Sequence, residues 1–132
     1  MSLVSIDPDA AKALLDSGAD WQYLDVRTPE EFARGHAPGA CNVPAFLPDA
    51  SGRMAPAADF LVRVAERFPA STPLVVGCAS GVRSVHACHA LAAAGYSELA
   101  NLQGGFHGSR DALGQVVEAG WLQCGLPVAT GS

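Results

Sequence analysis

The segment Val75-Val76-Gly77-Cys78-Ala79-Ser80-Gly81-Val82-Arg83-Ser84-Val85 places a thiol at the end of an apolar run, then follows it with small residues and an arginine. Cysteine reacts as its thiolate, which is favoured by backbone N–H groups, a helix N-terminus or a nearby cation. All three are on offer here. The apolar run predicts a central strand and Val82 onward predicts a helix, so the loop between them is a potential anion cradle. Gly81 allows positive φ or a close approach to a ligand. Arg83, five positions after Cys78, adds a permanent charge. Such a cradle would serve a sulfur nucleophile, an anionic sulfur donor such as thiosulfate, and a persulfide anion left on Cys78. A cysteine after a strand is more often a small buried hydrophobe. The coincidence of strand, glycine loop, arginine and helix favours the reactive reading.

The other candidate groups have blander readings. Cys41 sits in a short apolar stretch and Cys88 on the helix after the loop, both expected to pack inward. Cys124 lies near the C-terminus, where exposure would leave it open to a resolving or regulatory role. No two cysteines form a C-x-x-C pair, so neither a zinc ribbon nor a thioredoxin-type motif is present. His86 and His89 are spaced i, i+3 on one helix, but a metal site needs further ligands, and no metal or other cofactor is expected.

The elements that must position Cys78 read as an alternation of strands and helices. Ser5-Ile6-Asp7-Pro8 predicts a strand end, a cap and proline at the first helical position, with a short helix over 10–15 closed by Gly18. Gln22 to Val26 predicts a buried strand. Thr28-Pro29-Glu30-Glu31 is a helix start, with Thr28 as cap and two acids facing the positive end of the dipole. Gly35 and Pro38 keep that helix short, and 40–43 predicts a brief strand. Residues 48–56 read as a polar surface loop, and 57–68 as an amphipathic helix carrying Phe60, Leu61, Val64, Ala65 and Phe68. After the strand at 73–77 and the helix at 82–94, the pattern predicts a last strand at 99–102 and a helical stretch at 115–119. The alternation points to an α/β domain with a mostly parallel sheet, without internal repeat or linker.

Length and composition fit one ordinary domain over residues 1–132. The chain is 49% hydrophobic and 16% charged, hence compact rather than disordered. Its net charge of −5 and lack of a basic stripe argue against nucleic acid as a partner. No stretch approaches the roughly 18 apolar residues needed to span a bilayer. The N-terminus lacks the basic and apolar regions of a secretory signal, so the expected compartment is the cytoplasm.

Three segments together resemble the rhodanese-domain family. Cys78-Ala79-Ser80-Gly81-Val82-Arg83-Ser84 is similar to the family's C-x-x-G-x-[RS]-S active-site loop, in its single-domain C-x-S-G-x-R-S form. Upstream, Leu24-Asp25-Val26-Arg27 through Glu31-Phe32, Gly35-His36-Ala37-Pro38-Gly39-Ala40 and Asn42-Val43-Pro44 resemble the family's D-V-R…E-[FY]…G-H-[IL]-x-G-A…[IV]-P signature. Downstream are Leu102-Gln103-Gly104-Gly105-Phe106, then Trp121 and Gly125-Leu126-Pro127-Val128. The motifs occur in family order and span essentially the whole chain.

The resemblance implies a rhodanese-like three-layer α/β domain with a five-stranded parallel sheet flanked by helices. It implies a thiosulfate sulfurtransferase working by double displacement. Cys78 takes the outer sulfur of thiosulfate, sulfite leaves, and the persulfide passes its sulfur to cyanide, a thiol or a protein thiol. Cys78 and Arg83 would be catalytic, Arg83 as the anion-binding side chain. Ala79, Ser80, Gly81, Val82 and Ser84 would bind the donor through their backbone. Asp25 and Arg27 match family positions near the loop, as a supporting network. His36 falls in a family turn, where a structural role is implied. One departure stands out: residues 107–120 separate Phe106 from Trp121, where the family usually has only a few. An inserted surface element is the plain reading; a border to the site mouth, with His107 or Arg110 shaping acceptor choice, is the alternative.

Two other functions compete. A cysteine phosphatase or arsenate reductase on the same fold would cradle a tetrahedral oxyanion in C-x5-R, a loop one residue longer than this one. A non-catalytic rhodanese-like binding module would commonly lack the cysteine that this chain retains.

Overall fold

The computed structural model describes residues 2–131. In chain order the elements are β1 (Ser2–Ile6), α1 (Pro8–Asp16), β2 (Gln22–Asp25), α2 (Pro29–Arg34), β3 (Cys41–Asn42), β4 (Phe46–Pro48), β5 (Met54–Pro56), α3 (Phe60–Arg67), β6 (Leu74–Gly77), α4 (Arg83–Ala93), β7 (Glu98–Leu102), β8 (Ser109–Arg110) and β9 (Val116–Glu118). Five of the strands form one parallel sheet in the order β1-β7-β6-β2-β3. β6 is central and buried along its whole length, as its unbroken apolar run requires.

Alternation along the strands feeds two cores. Leu74 and Val76 of β6, with Leu24 and Leu99, pack beneath Phe60 and Val64 of α3 and Ala87, Cys88 and Leu91 of α4. Val75, Tyr23, Ala100 and Leu102 face the other way, against Ala11 of α1, Phe106 and Trp121. These are the helix, sheet and helix layers of the expected three-layer α/β architecture.

Local capping explains where the helices begin. Asp7 accepts the Ala10 N–H at 2.8 Å ahead of Pro8. Thr28 and Glu31 form a reciprocal capping box ahead of Pro29. Among the described residues, no helix is long and apolar enough to cross a membrane.

Two expectations are corrected. Residues 48–56 are not simply a loop, because β4 and β5 pair as an antiparallel hairpin that takes in Pro48 and 54–56. Residues 115–119 are not helical, because β9 pairs antiparallel with β8. Both hairpins close on the same four-residue turn, Asp49-Ala50-Ser51-Gly52 and Asp111-Ala112-Leu113-Gly114. In each, the aspartate Oδ1 accepts N–H groups two and four residues ahead, at 2.8 and 3.1 Å in the first and 2.9 and 3.0 Å in the second. Glycine closes each turn in the left-handed region, with φ of 84° and 80°.

Candidate active site

β6 ends at Gly77, and the chain leaves the carboxyl edge of the sheet into the loop that carries Cys78. This exit requires glycine, since an added β-carbon on Gly77 would sit 2.5 Å from Tyr23 Oη. Cys78 itself is only 1% exposed. Its Sγ accepts the Gly81 N–H at 3.1 Å and donates its own proton to Ser84 Oγ at 3.4 Å. Gly81 has φ +100°, the curl that turns its N–H back on the sulfur. Among the described residues Gly81 supplies the one backbone donor to Sγ. Ser80 and Val82 are exposed on the rim, and Ala79 is half-buried.

Ser84 is fully buried, and its hydroxyl donates to Asn101 Oδ1 at 2.5 Å. Asn101 in turn donates from Nδ2 to Ser5 Oγ at 3.3 Å, linking the sulfur to exposed β1 through three polar side chains. Asn101 lies opposite Val76 in the β6–β7 register, which fixes it beneath the start of α4. Nothing in the sequence reading singled it out, because an asparagine in an apolar strand has no motif.

Arg83 has a charged partner on another helix. Its two terminal nitrogens donate to the two Glu31 oxygens at 2.9 Å each, and it makes no hydrogen bond to Cys78. The guanidinium therefore ties the start of α4 to the start of α2, and its charge is answered on the spot. Burial alone would raise the Glu31 carboxyl, but the hydrogen bonds from Arg83 and Thr28 hold it at about 2. The same pairing, opposed by desolvation, raises Arg83. The i+3 spacing of Glu31 from Thr28 signals the capping box, but no local pattern announces Arg83.

Asp25 and Arg27 form a buried bidentate pair at 2.8–3.2 Å, both with no exposure. Arg27 also donates to the Gly35 carbonyl at 2.7 Å and lies 4.4 Å from the centre of the Phe106 ring. Phe106 and His107 in turn donate their N–H groups to the Cys78 and Ala79 carbonyls, each at 2.8 Å. The Asp25–Arg27 pair is therefore the far support of the cysteine loop, acting through Phe106. His36 is buried, stacked on Phe32, with Nδ1 2.8 Å from the Phe32 carbonyl, a structural placement.

The insertion at 107–120 is a surface hairpin, and its base does border the site. His107 lies on the rim of a cleft lined also by Glu31, Arg34, Phe106, Leu122 and Val128. Trp121, just past the insertion, is buried in the second core, with Nε1 donating to the Pro127 carbonyl at 2.7 Å and its ring edge-on to Tyr23. The remaining thiols lack a comparable setting. Burial, then the Cys78 charge, pushes Cys88 up to about 12. Burial, then Asp9 and Asp7, raises Cys124. Cys41 is partly buried against the first core. Among the described residues, no three His, Cys, Asp or Glu side chains converge as a metal site.

A parallel α/β sheet whose central strand delivers one buried cysteine into a glycine loop, capped by a helix and braced by a buried Asp–Arg pair, defines a narrow class of proteins. The chain belongs to the rhodanese family: the model described as "Rhodanese-like domain" matches residues 7–112. It is 41% identical over 123 residues to "Thiosulfate sulfurtransferase 16, chloroplastic" of Arabidopsis thaliana, covering 93% of this chain and 90% of that protein. It is 30% identical, over 93% of its own length and 92% of the other, to a protein named "Sulfurtransferase" from Allochromatium vinosum. The crystal structure of Rv0390 from M. tuberculosis superposes with a TM-score of 0.80 at 27% identity, covering 97% of this chain and 98% of that one. These likenesses support a rhodanese sulfurtransferase role.

Proposed function

We propose that the chain moves the outer sulfur of thiosulfate to cyanide or a thiol through a persulfide on Cys78, and that it does so with no metal or cofactor. The observation that carries this reading is the Gly81 N–H held 3.1 Å from Sγ at the carboxyl end of the central strand. That donor stabilises negative sulfur, whether as attacking thiolate or as persulfide. The Cys78 thiolate attacks the outer sulfur of thiosulfate, a new S–S bond forms, and the bond to the inner sulfur breaks to release sulfite. An acceptor nucleophile then takes the outer sulfur and returns Cys78 as thiolate. Arg83 acts by pinning the loop to Glu31, while Asp25 and Arg27 hold Phe106 behind it. The net charge of −5 argues against nucleic acid as a partner.

The test is incubation with thiosulfate and cyanide, following thiocyanate, with Cys78→Ser alongside. Intact mass after thiosulfate alone reports whether one sulfur atom is added. Turnover and an adduct, both lost in Cys78→Ser, are expected. An adduct that survives the substitution overturns Cys78 as carrier, and no adduct with thiosulfate overturns that donor.

A further inference from the structure

The cleft beside the cysteine loop combines features that nothing in the persulfide step uses. Its near wall is His107, whose N–H binds the Ala79 carbonyl, so the wall and the sulfur-bearing residue are one peptide apart. Its floor is apolar: Phe106 is buried, while Leu122 and Val128 are 39% and 44% exposed. Its outer edge carries Arg34, which has neither ion pair nor side-chain hydrogen bond among the described residues. Glu31, the one acid in the lining, is already committed to Arg83.

The charge distribution points the same way. Arg27, Arg34 and Arg110 all lie close enough to His107 to oppose its protonation, after partial burial and against Glu31. Of the three, Arg34 alone lines the cleft, while Arg27 is buried and paired with Asp25. The ring of His107, lowered from its ordinary value, is neutral at neutral pH and able to accept a proton. The cleft holds about 190 Å³, the space of about six waters at ~30 Å³ each.

We propose that this cleft seats the sulfur acceptor, and that the acceptor is a small thiol carrying a carboxylate. The carboxylate pairs with Arg34, the short carbon chain lies on Leu122 and Val128, and the thiol points past His107 to the loop. His107 takes the thiol proton. The resulting thiolate attacks the outer sulfur of the Cys78 persulfide, one S–S bond forms as the bond to Sγ breaks, and Cys78 leaves as thiolate while the acceptor leaves as a persulfide. This assignment deepens the sulfur-transfer reading and rests on it.

Mercaptopropionate and its neutral analogue mercaptopropanol separate the outcomes. With protein preloaded from thiosulfate, discharge should half-saturate at a lower concentration of mercaptopropionate, by about fivefold, the upper range for an exposed ion pair. Arg34→Gln should abolish that preference. Equal use of the two thiols, or a preference that survives Arg34→Gln, overturns the proposal. Binding of mercaptopropionate to unloaded protein, followed by NMR, keeps the cleft testable by itself. Shifts centred on His107, Leu122 and Val128 uphold it even if thiosulfate fails to load Cys78, an outcome that would count against the donor alone. Shifts elsewhere, or none, overturn it.

Discussion

Gly105 packs its α-carbon against the backbone of Cys78. A methyl group there would lie 2.5 Å from the Cys78 carbonyl oxygen and 2.6 Å from the Ala79 carbonyl carbon. Gly105 also sits at φ +62°, where a side chain is strained. The contact lets Phe106 and His107 reach the loop carbonyls with their N–H groups. Gly105→Ala should therefore cost roughly 1–3 kcal/mol from backbone conformation alone, and should displace the loop as well. Urea unfolding measures the first effect, and the rate of Cys78 alkylation by iodoacetamide the second. Unchanged values of both would show that the 104–107 segment does not brace the loop.

The parts of this molecule that were legible in the sequence are those written locally. The run from Val75 to Ser84 carries strand, glycine and helix start in one stretch, and Thr28 to Glu31 spells out a capping box. The two hairpins escaped because their strands are two or three residues long, too short for alternation to register, and because Pro48 and Pro56 suggested a loop. Val116 and Val117 were signals against a helix, and the repeated Asp-Ala-x-Gly turn marked both hairpins. The partners of the site were out of reach for a different reason. Arg83 meets Glu31 across 52 positions and Ser84 meets Asn101 across 17, and no spacing rule connects them.

The Glu31–Arg83 pair predicts how stability depends on acid. The Glu31 carboxyl lies at about 2 in the folded chain, against 4.5 ordinarily. A depressed carboxylate contributes stability above its unfolded value and loses it as pH falls through the folded value. The contribution is therefore full above 4.5 and fades toward 2. A shift of that size corresponds to at most ~3 kcal/mol, which solvent screening of a pair one quarter exposed reduces to about 1 kcal/mol. In urea unfolding, Glu31→Gln should be less stable than the parent by about that amount at neutral pH. The gap should close in acid; a gap that persists at low pH would assign the loss to the capping box instead.

The Asp25–Arg27 pair is fully buried, so its two halves should not be equivalent to remove singly. Arg27→Met leaves the Asp25 charge without its partner and should cost about 3–5 kcal/mol. Adding Asp25→Asn removes the stranded charge, and the double variant should recover part of that loss. Denaturation of the two variants at neutral pH checks the order. A double variant less stable than Arg27→Met would mean that Asp25 is held by its backbone contact to the Arg27 N–H, at 3.0 Å, more than by the guanidinium.

Ser84 stands between Cys78 and Asn101 with a single proton to give. In the structure that proton goes to Asn101 Oδ1, so the hydroxyl can only accept from the Cys78 thiol. When Cys78 is ionised or persulfidated, the hydroxyl serves the sulfur only by giving up Asn101. Removing the two residues should therefore act in opposite directions. Ser84→Ala deletes the group that can turn to the sulfur, and should slow alkylation of Cys78 at fixed pH. Asn101→Leu frees the hydroxyl to donate to sulfur and should speed it. A hydrogen bond to a charged group contributes about 1.5–3 kcal/mol, so the two variants should differ by at least about tenfold in rate. If both slow alkylation alike, the chain from Cys78 to Ser5 is a support for the loop and the serine proton does not choose between its neighbours.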